Sequence, residues 1–315
     1  MRTLHPDDTD PLVSLSDITE IELLILKRMR EITIGEHSSM FHGTGFDFVG
    51  LRDWQAGDRF EAIDWAQSSL NNFSPLIVRE FEQPTTSSAI IVADRSASTR
   101  CGANSGANDN RGMQIATLIA RAIATVGMSA VFFQDSIGLI TFDEGFRELG
   151  AVRPRIGKGQ VIHVLEAYQN GYGVQDIKNV GSLSATLTGF SRKTAMMPVI
   201  SDFLFDEAPE FLTELRQVNG VHDVFIMIVD ASFAFELPKV SAGWVEVYDV
   251  ETGRTRMMSR RELARQSARV RAWQDEIARQ AKENDLDVIR LSVDQVKFDV
   301  ALIEWVAERR LRRKK

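Results

Sequence analysis

The stretch that most constrains this chain is Ser88-Ala89-Ile90-Ile91-Val92-Ala93-Asp94-Arg95-Ser96-Ala97-Ser98, a short apolar run that stops in an acid and two hydroxyls. From Ala89 to Ala93 there is no polar alternation, so the run reads as a strand buried on both faces, the habit of a central parallel strand. Ligands of open α/β sheets bind at the carboxyl ends of such strands. Asp94, Ser96 and Ser98 therefore stand where a site is expected. One carboxylate and two hydroxyl oxygens are hard donors that suit Mg²⁺.

The rest of the chain alternates around that strand. Asp17 with Glu20 reads as a capping box opening a helix over 17–31, with Ile18, Ile21, Ile25 and Met29 on its apolar face. A turn-rich segment from Gly35 to Gly50 leads into 51–65, where charges and tryptophans interleave without clean periodicity; this reads as a loop-and-short-helix unit held by salt bridges and Trp packing. Residues 74–81 read as a strand. After 88–93 come a Gly/Asn-rich loop (101–112), a helix (113–127), a strand (137–142) and a short return strand ending near Leu149. Helices are expected at 158–169, 182–192 and 208–218, and strands at 197–202 and 223–230. A hairpin (244–249 with 255–258), a long helix (259–284), a last strand (287–291) and a closing helix (294–310) complete the pattern. Strands separated by helices imply a doubly wound, mostly parallel α/β sheet with helices on both faces. Residues 1–84 are expected to form an N-terminal extension, and 85–315 one domain with the hairpin inserted at about 243–258.

A second acid strengthens the first site. Asp202 also ends a buried strand, with Ser201 before it and Asp206 after. If the two strands are neighbours, Asp94 and Asp202 converge and can share one cation. Ser182 or Ser184, at the start of a helix, would complete a five-oxygen set, leaving one position for water or for a carboxylate from another protein. The plainer reading is that Asp94 and Asp202 cap helices and the serines satisfy loop amides.

Other chemistries find less support. The five histidines, His5, His37, His42, His163 and His222, do not fall at strand ends, and Cys101 has no identifiable base beside it, which argues against a nucleophilic triad. Ile156-Gly157-Lys158-Gly159-Gln160 lacks the spacing of a phosphate loop and reads as a helix start. Trp54 and Trp65 read as packing residues. A net charge of −7 argues against general nucleic-acid binding, and one cysteine in 315 residues fits a reducing compartment. No run of about 18 apolar residues and no secretory leader is recognised, so the expectation is a cytoplasmic protein without a membrane span. The tail Arg309-Arg310-Leu311-Arg312-Arg313-Lys314-Lys315 reads as a solvated helix end favoured by the helix dipole, or as a contact for an anionic membrane surface or acidic partner.

Two separated segments resemble one bacterial family. Gly43-x-Gly45-x-Asp47-Phe48-x-x-x-Arg52-x-Trp54-x-x-Gly57-Asp58-x-x-x-x-Ile63-Asp64-Trp65 is similar to the signature of proteins carrying domain of unknown function 58, which join it to a von Willebrand factor A-like domain. Asp94-x-Ser96-x-Ser98 resembles the metal-ion-dependent adhesion site of such domains, and Ile200-Ser201-Asp202-Phe203 the family's fourth-strand motif. His222-Asp223-Val224 and Asp249-x-Glu251-Thr252-Gly253 also fit. Trp54 replaces a usual Tyr, and Glu61 replaces a usual Arg. The family's adhesion-site Thr has only Ser182 or Ser184 as candidates, and Arg95 adds a positive charge beside the site.

The resemblance implies a partner of MoxR-type AAA+ ATPases, acting as an adaptor in a chaperone-like system that assembles or activates an unidentified client protein. The expected function is divalent-metal-assisted protein binding, with Mg²⁺ or Mn²⁺ held by Asp94, Ser96, Ser98, Asp202 and Ser182, and no catalysis. The alternatives are a metal-dependent phosphohydrolase using Asp94 and Asp202, and a scaffold whose metal site has decayed. The Arg52–Trp65 unit is assigned to folding or to docking, with both left open.

Overall fold

The computed structural model describes residues 11–36, 47–55, 58, 60, 63–82, 87–103, 113–143, 149–177, 182–191, 193–236, 243–248, 254–292 and 295–312. Gly43, Gly45, Gly57, Glu61, most of the 101–112 loop and the Asp249–Gly253 turn lie outside these residues. The chain divides into a larger unit, Met1–Met29 with Ser87–Lys315, and a smaller one, Arg30–Thr86.

The larger unit takes in α1 (Leu15–Glu36) as far as Met29. Its cap is a reciprocal pair three residues earlier than expected. The Ser14 N–H donates to Asp17 Oδ2 at 2.8 Å, and the Asp17 N–H donates to Ser14 Oγ at 3.2 Å. Asp17 thus serves as the acid inside the first turn, and the cap itself is Ser14. Ile18, Ile21, Ile25 and Met29 are buried, as the helical spacing requires.

In the smaller unit, β1 (Asp47–Asp53) pairs antiparallel with β2 (Ile77–Glu82), and α2 (Trp65–Leu70) lies between them in sequence. The signature residues have local structural work. Arg52 donates two hydrogen bonds of 2.7 Å to the two oxygens of Asp58, which also accepts the Gln55 N–H at 2.8 Å. These bonds, the Arg52 ones first, hold the Asp58 carboxyl down at about 2. Asp64 caps α2 by accepting from Ala66 and Gln67 N–H groups. Trp54 stacks on Phe60 with centroids 6.2 Å apart, but its indole N–H is buried with no partner among the described residues. Trp65, expected to pack, is 58% exposed.

The central sheet of the larger unit holds seven strands: β3 (Ser88–Asp94), β6 (Ser136–Phe142), β7 (Leu149–Arg155), β8 (Gln175–Ile177), β9 (Met196–Ser201), β10 (Asp223–Val229) and β13 (Asp287–Leu291). Their order is β13-β10-β9-β3-β6-β7-β8. β3, β6, β9, β10 and β13 run parallel, whereas β7 and β8 each run antiparallel to the strand before them in the order. Short β4 (Gly102–Ala103) and β5 (Met113–Gln114) pair beside the sheet, and β11 (Trp244–Tyr248) with β12 (Thr255–Ser259) form the expected hairpin. The chain leaves β3 toward β6 on one side and later returns to β9 on the other. This is the von Willebrand factor A-like arrangement, and its switch point lies between β3 and β9.

Side-chain alternation along β3 decides which layer each residue joins. Ile90 and Val92 enter one core with α5 (Leu183–Phe190), α6 (Ala208–Asn219) and α7 (Arg260–Glu283). The other layer contains α3 (Ile115–Phe132), α4 (Lys158–Asn170) and α8 (Gln295–Arg312). α4 opens at Gly157 with φ 112°, so the Gly157-Lys158 segment is a helix start, and Lys158 pairs with Glu22 of α1.

By length and apolarity α3 is long enough to cross a membrane, contrary to the expectation that no such segment exists. Fifteen of its 18 residues are buried inside the fold, and a helix apolar all round is what a core position demands. Its Arg121 is neutralised internally by Asp299 of α8, through hydrogen bonds of 2.5, 3.1 and 3.2 Å.

At the tail, Arg309 is not a solvated end. Its guanidinium pairs with Asp223 and Asp287 and lies 4.9 Å from the ring centroids of both Phe225 and Trp305. Those partners come from two strands distant in sequence. The side chains from Arg310 onward lie outside the description.

Candidate metal centre

Parallel pairing of β3 with β9 sets Ala93 against Ile200, so Asp94 and the Ser201-Asp202 pair leave the sheet side by side at its carboxyl edge. Both acids are fully buried. Each uses one carboxylate oxygen in a local turn: Asp94 Oδ1 accepts the Ser96 N–H at 2.7 Å, and Asp202 Oδ1 accepts the Leu204 N–H at 3.0 Å. Asp230, at the end of β10, repeats the pattern with the Ser232 N–H at 2.9 Å. An Asp that bonds the amide two residues on is an ordinary way to turn a chain. These acids thus satisfy local turn amides but cap no helix: Ser96 stands at the start of Ala97–Arg100 and Glu207 at the start of α6.

Their second oxygens separate them. Asp94 Oδ2 accepts the Ser201 hydroxyl at 2.5 Å, and Ser201 Oγ in turn accepts the Phe203 N–H at 2.8 Å. Asp202 Oδ2 is buried with no hydrogen-bond partner among the described residues. Burial, and then the charge of Asp94, push the Asp202 carboxyl up to about 7; the Leu204 N–H and the Ser98 hydroxyl pull the other way. The Ser96 and Ser98 hydroxyls are 3.0 Å apart. Ser96 is pinned by Thr99, which donates to its carbonyl at 2.7 Å.

A divalent cation fits this set. A buried carboxylate oxygen without a donor, a second buried acid and two adjacent hydroxyls form a cluster of hard oxygens whose uncompensated charge a cation would neutralise. Ser96, Ser98 and Asp202 would hold the ion, with Asp94 orienting the loop through its amide and hydroxyl bonds. When bound, the ion would supply a positive centre able to accept an outside oxygen. No group of three or more His, Cys, Asp or Glu side chains converges among the described residues.

Ser182 is engaged elsewhere. Its hydroxyl caps α5 by accepting the Ala185 N–H at 3.1 Å and meets Ser184 Oγ at 3.1 Å. Ser184 bonds Glu214 and Gln217 on the C-terminal half of α6. α6 starts just beyond Asp202. Ser201 supplies a hydroxyl to the acid pair through its bond to Asp94.

Three further residues position the site, and nothing in the sequence pattern marks them. Tyr168 of α4 is fully buried and donates its hydroxyl to the Asp94 carbonyl at 3.0 Å. Gln274 of α7 donates to the carbonyls of Asp202 at 2.9 Å and Val229 at 2.8 Å. The neighbouring Trp273 donates its indole N–H to the Phe203 carbonyl at 2.6 Å. Phe203 has φ 56°, a left-handed conformation uncommon for a bulky residue. Helix α7 thus holds the turn that carries Asp202 in a geometry it would not adopt alone.

Residues 50–283 match the family model described as protein of unknown function DUF58. The chain belongs to that family. Both the Arg52–Asp58 clamp and the Asp94–Asp202 edge fall within the matched span. No curated protein matches the sequence. Among solved structures, the chain is similar to the conserved hypothetical protein BatB from Bacteroides thetaiotaomicron, with 14% identity, a TM-score of 0.39, and coverage of 70% of this chain and 99% of that one. It is also similar to an aerotolerance-related membrane protein from Bacteroides fragilis, with 14% identity, the same coverages and a TM-score of 0.38. The pilus adhesin SpaC from Lactobacillus rhamnosus GG shows 12% identity and a TM-score of 0.36, over 72% of this chain and 30% of that one.

Proposed function

We propose that this chain is a non-catalytic protein-binding adaptor whose sheet edge holds Mg²⁺ or Mn²⁺. A carboxylate from a protein partner completes the ion's shell. The observation that carries the reading is the buried Asp202 Oδ2, without a hydrogen-bond partner among the described residues, and the Ser96–Ser98 hydroxyl pair. A buried carboxylate oxygen left without a donor costs stability, and that cost persists in a fold only where something else offsets it. By its family resemblance, the adaptor works beside a MoxR-type AAA+ ATPase on an unidentified client, in the cytoplasm.

Isothermal titration with Mg²⁺ and Mn²⁺ on wild type, Ser96→Ala and Asp202→Asn tests the ion. Saturable binding to wild type, lost in both variants, supports the reading; absence of binding to wild type leaves a scaffold with a decayed site. Recovery of an AAA+ ATPase from a bacterial lysate by the tagged chain, abolished by EDTA, tests the partnership. The competing phosphohydrolase would need more carboxylates than the two found here for two-metal chemistry. Phosphatase turnover with Mg²⁺ or Mn²⁺ that disappears in Asp94→Ala would overturn the non-catalytic assignment.

A further inference from the structure

Trp65 is not the only large apolar side chain that the smaller unit leaves in water. Leu70 is 76% exposed and Phe73 53%, and with Trp65 they occupy α2 and the turn that follows it. In a chain that is 26% charged, no Asp, Glu, Lys or Arg occurs from Trp65 to Val78. Uncharged runs elsewhere, such as Ala122–Ala130 of α3, are buried. Here Ala66, Gln67, Ser69 and Asn71 to Pro75 are exposed as well. Exposed aromatics without neighbouring charge are the composition of an interface core, not of an ordinary surface.

The turn holds these side chains out. α2 closes in a Schellman motif: the Phe73 N–H donates to the Ser68 carbonyl at 2.8 Å, and the Asn72 N–H to the Ser69 carbonyl at 3.2 Å. An apolar residue at the place of Phe73 is often covered by one a turn back in the helix, but Gln67 and Ser68 stand there. Fully buried Ser68 also accepts the Ile77 N–H on its hydroxyl at 2.9 Å, so both ends of the turn hang on one residue. Asn72 and Phe73 have φ of 51° and 59°. Asn tolerates that region; a bulky Phe kept there, and facing water, is a strain that persists where it serves a contact.

We propose that α2 and the 71–75 turn form the contact between two copies of this chain related by a two-fold axis. A two-fold sets the same apolar, uncharged surface against itself. The side-chain amides of Gln67, Asn71 and Asn72 each carry donor and acceptor, so they can pair with their own kind across the axis. Two molecules of net charge −7 repel over the rest of their surfaces, which leaves an uncharged patch as the favoured place to meet. At roughly 200 Å² for a fully exposed side chain of this size, the three residues offer on the order of 400 Å², about half of what each partner buries in a standard interface. The exposed polar residues around them supply the remainder. A lipid surface is less suited, because the run offers no Lys or Arg to phosphate headgroups.

The test is sedimentation equilibrium of the full chain from about 1 to about 100 µM, in EDTA and in Mg²⁺. Wild type is expected to show a monomer–dimer equilibrium over that range, the same in both buffers, since the contact uses no residue of the metal centre. Leu70→Glu combined with Phe73→Asn should raise the dimer dissociation constant at least tenfold without lowering the melting temperature. Hydrogen exchange on wild type needs no variant: the amides of 66–74 should exchange more slowly at the top of the concentration range than at the bottom. A wild type that stays monomeric throughout, a dimer indifferent to the two substitutions, or exchange in 66–74 that ignores concentration overturns the proposal. Flotation of a monomeric wild type with phosphatidylcholine vesicles, lost in the double variant, overturns it in favour of a membrane contact.

Discussion

Replacing Asp202 by Asn should stabilise the metal-free protein at alkaline pH. In the folded chain burial and Asp94 raise this carboxyl from 3.8 to about 7, a little over three units. At about 1.4 kcal/mol per unit, the charged form carries a penalty of at most about 4 kcal/mol. Asp94 and Asp202 titrate as a pair, so part of that penalty belongs to Asp94 and a realistic share is about 2 kcal/mol. Because the folded pKa is raised, the folded state holds a proton that the unfolded state releases. Stability is therefore complete below about pH 4 and declines as pH rises toward about 7. The amide keeps the oxygen that accepts the Leu204 N–H and brings no charge. At pH 8 in EDTA, Asp202→Asn should melt roughly 4–8 °C above wild type, with the difference vanishing near pH 4. Saturating Mg²⁺ should reverse the order, because only wild type gains the linkage term of a bound ion. Thermal melts at both pH values, with and without Mg²⁺, provide the check. An Asn variant no more stable than wild type at pH 8 in EDTA would refute the claim that Asp202 is an uncompensated buried acid.

Three other perturbations have definite outcomes. Gln274→Leu removes the donor to the Asp202 and Val229 carbonyls, so urea unfolding should show a loss of about 2–4 kcal/mol, and titration a weaker Mg²⁺ affinity than in an equally destabilised Ile277→Ala control. Asp299→Ala strands the Arg121 guanidinium between α3 and α8 and should cost about 3–5 kcal/mol, whereas Arg121→Met combined with Asp299→Leu should recover most of it. Arg52→Ala should return the Asp58 carboxyl from about 2 toward 3.8, read by NMR titration; the stability this pair supplies is present above the unfolded pKa and lost as pH falls through about 2.

The parallel core was legible residue by residue. Runs such as Ala89–Ala93 and Val224–Val229 are continuous and apolar because both faces of a central strand are covered, and the observed strands Ser88–Asp94 and Asp223–Val229 follow them closely. Short β8 was missed: three residues, Gln175–Ile177, carry too little pattern to register, and they become a strand only by pairing with β7. In α3 the apolarity read correctly as a helix, but its depth in the core reflects α4, α8 and the sheet closing around it. Arg309 shows the same limit, since a basic tail residue becomes a half-buried clamp only when Asp223, Asp287 and Phe225 arrive from two strands.

The site divides along the same line. Asp94, Ser96, Ser98 and Asp202 were readable because strand ends are marked in the chain itself, where an apolar run gives way to an acid. Which hydroxyl meets which partner depended on helix packing. Ser182 goes to the cap of α5 and Ser201 goes to Asp94, although both precede an obvious element. Tyr168, Trp273 and Gln274 act on Asp94, Phe203 and Asp202 through hydrogen bonds thrown across 70 or more residues, and no local spacing encodes such a partner. Periodicity and composition act over a few residues and so determine elements and their ends. The identity of a hydrogen-bond partner depends on which helix lies against which strand, and that is decided only when the layers close.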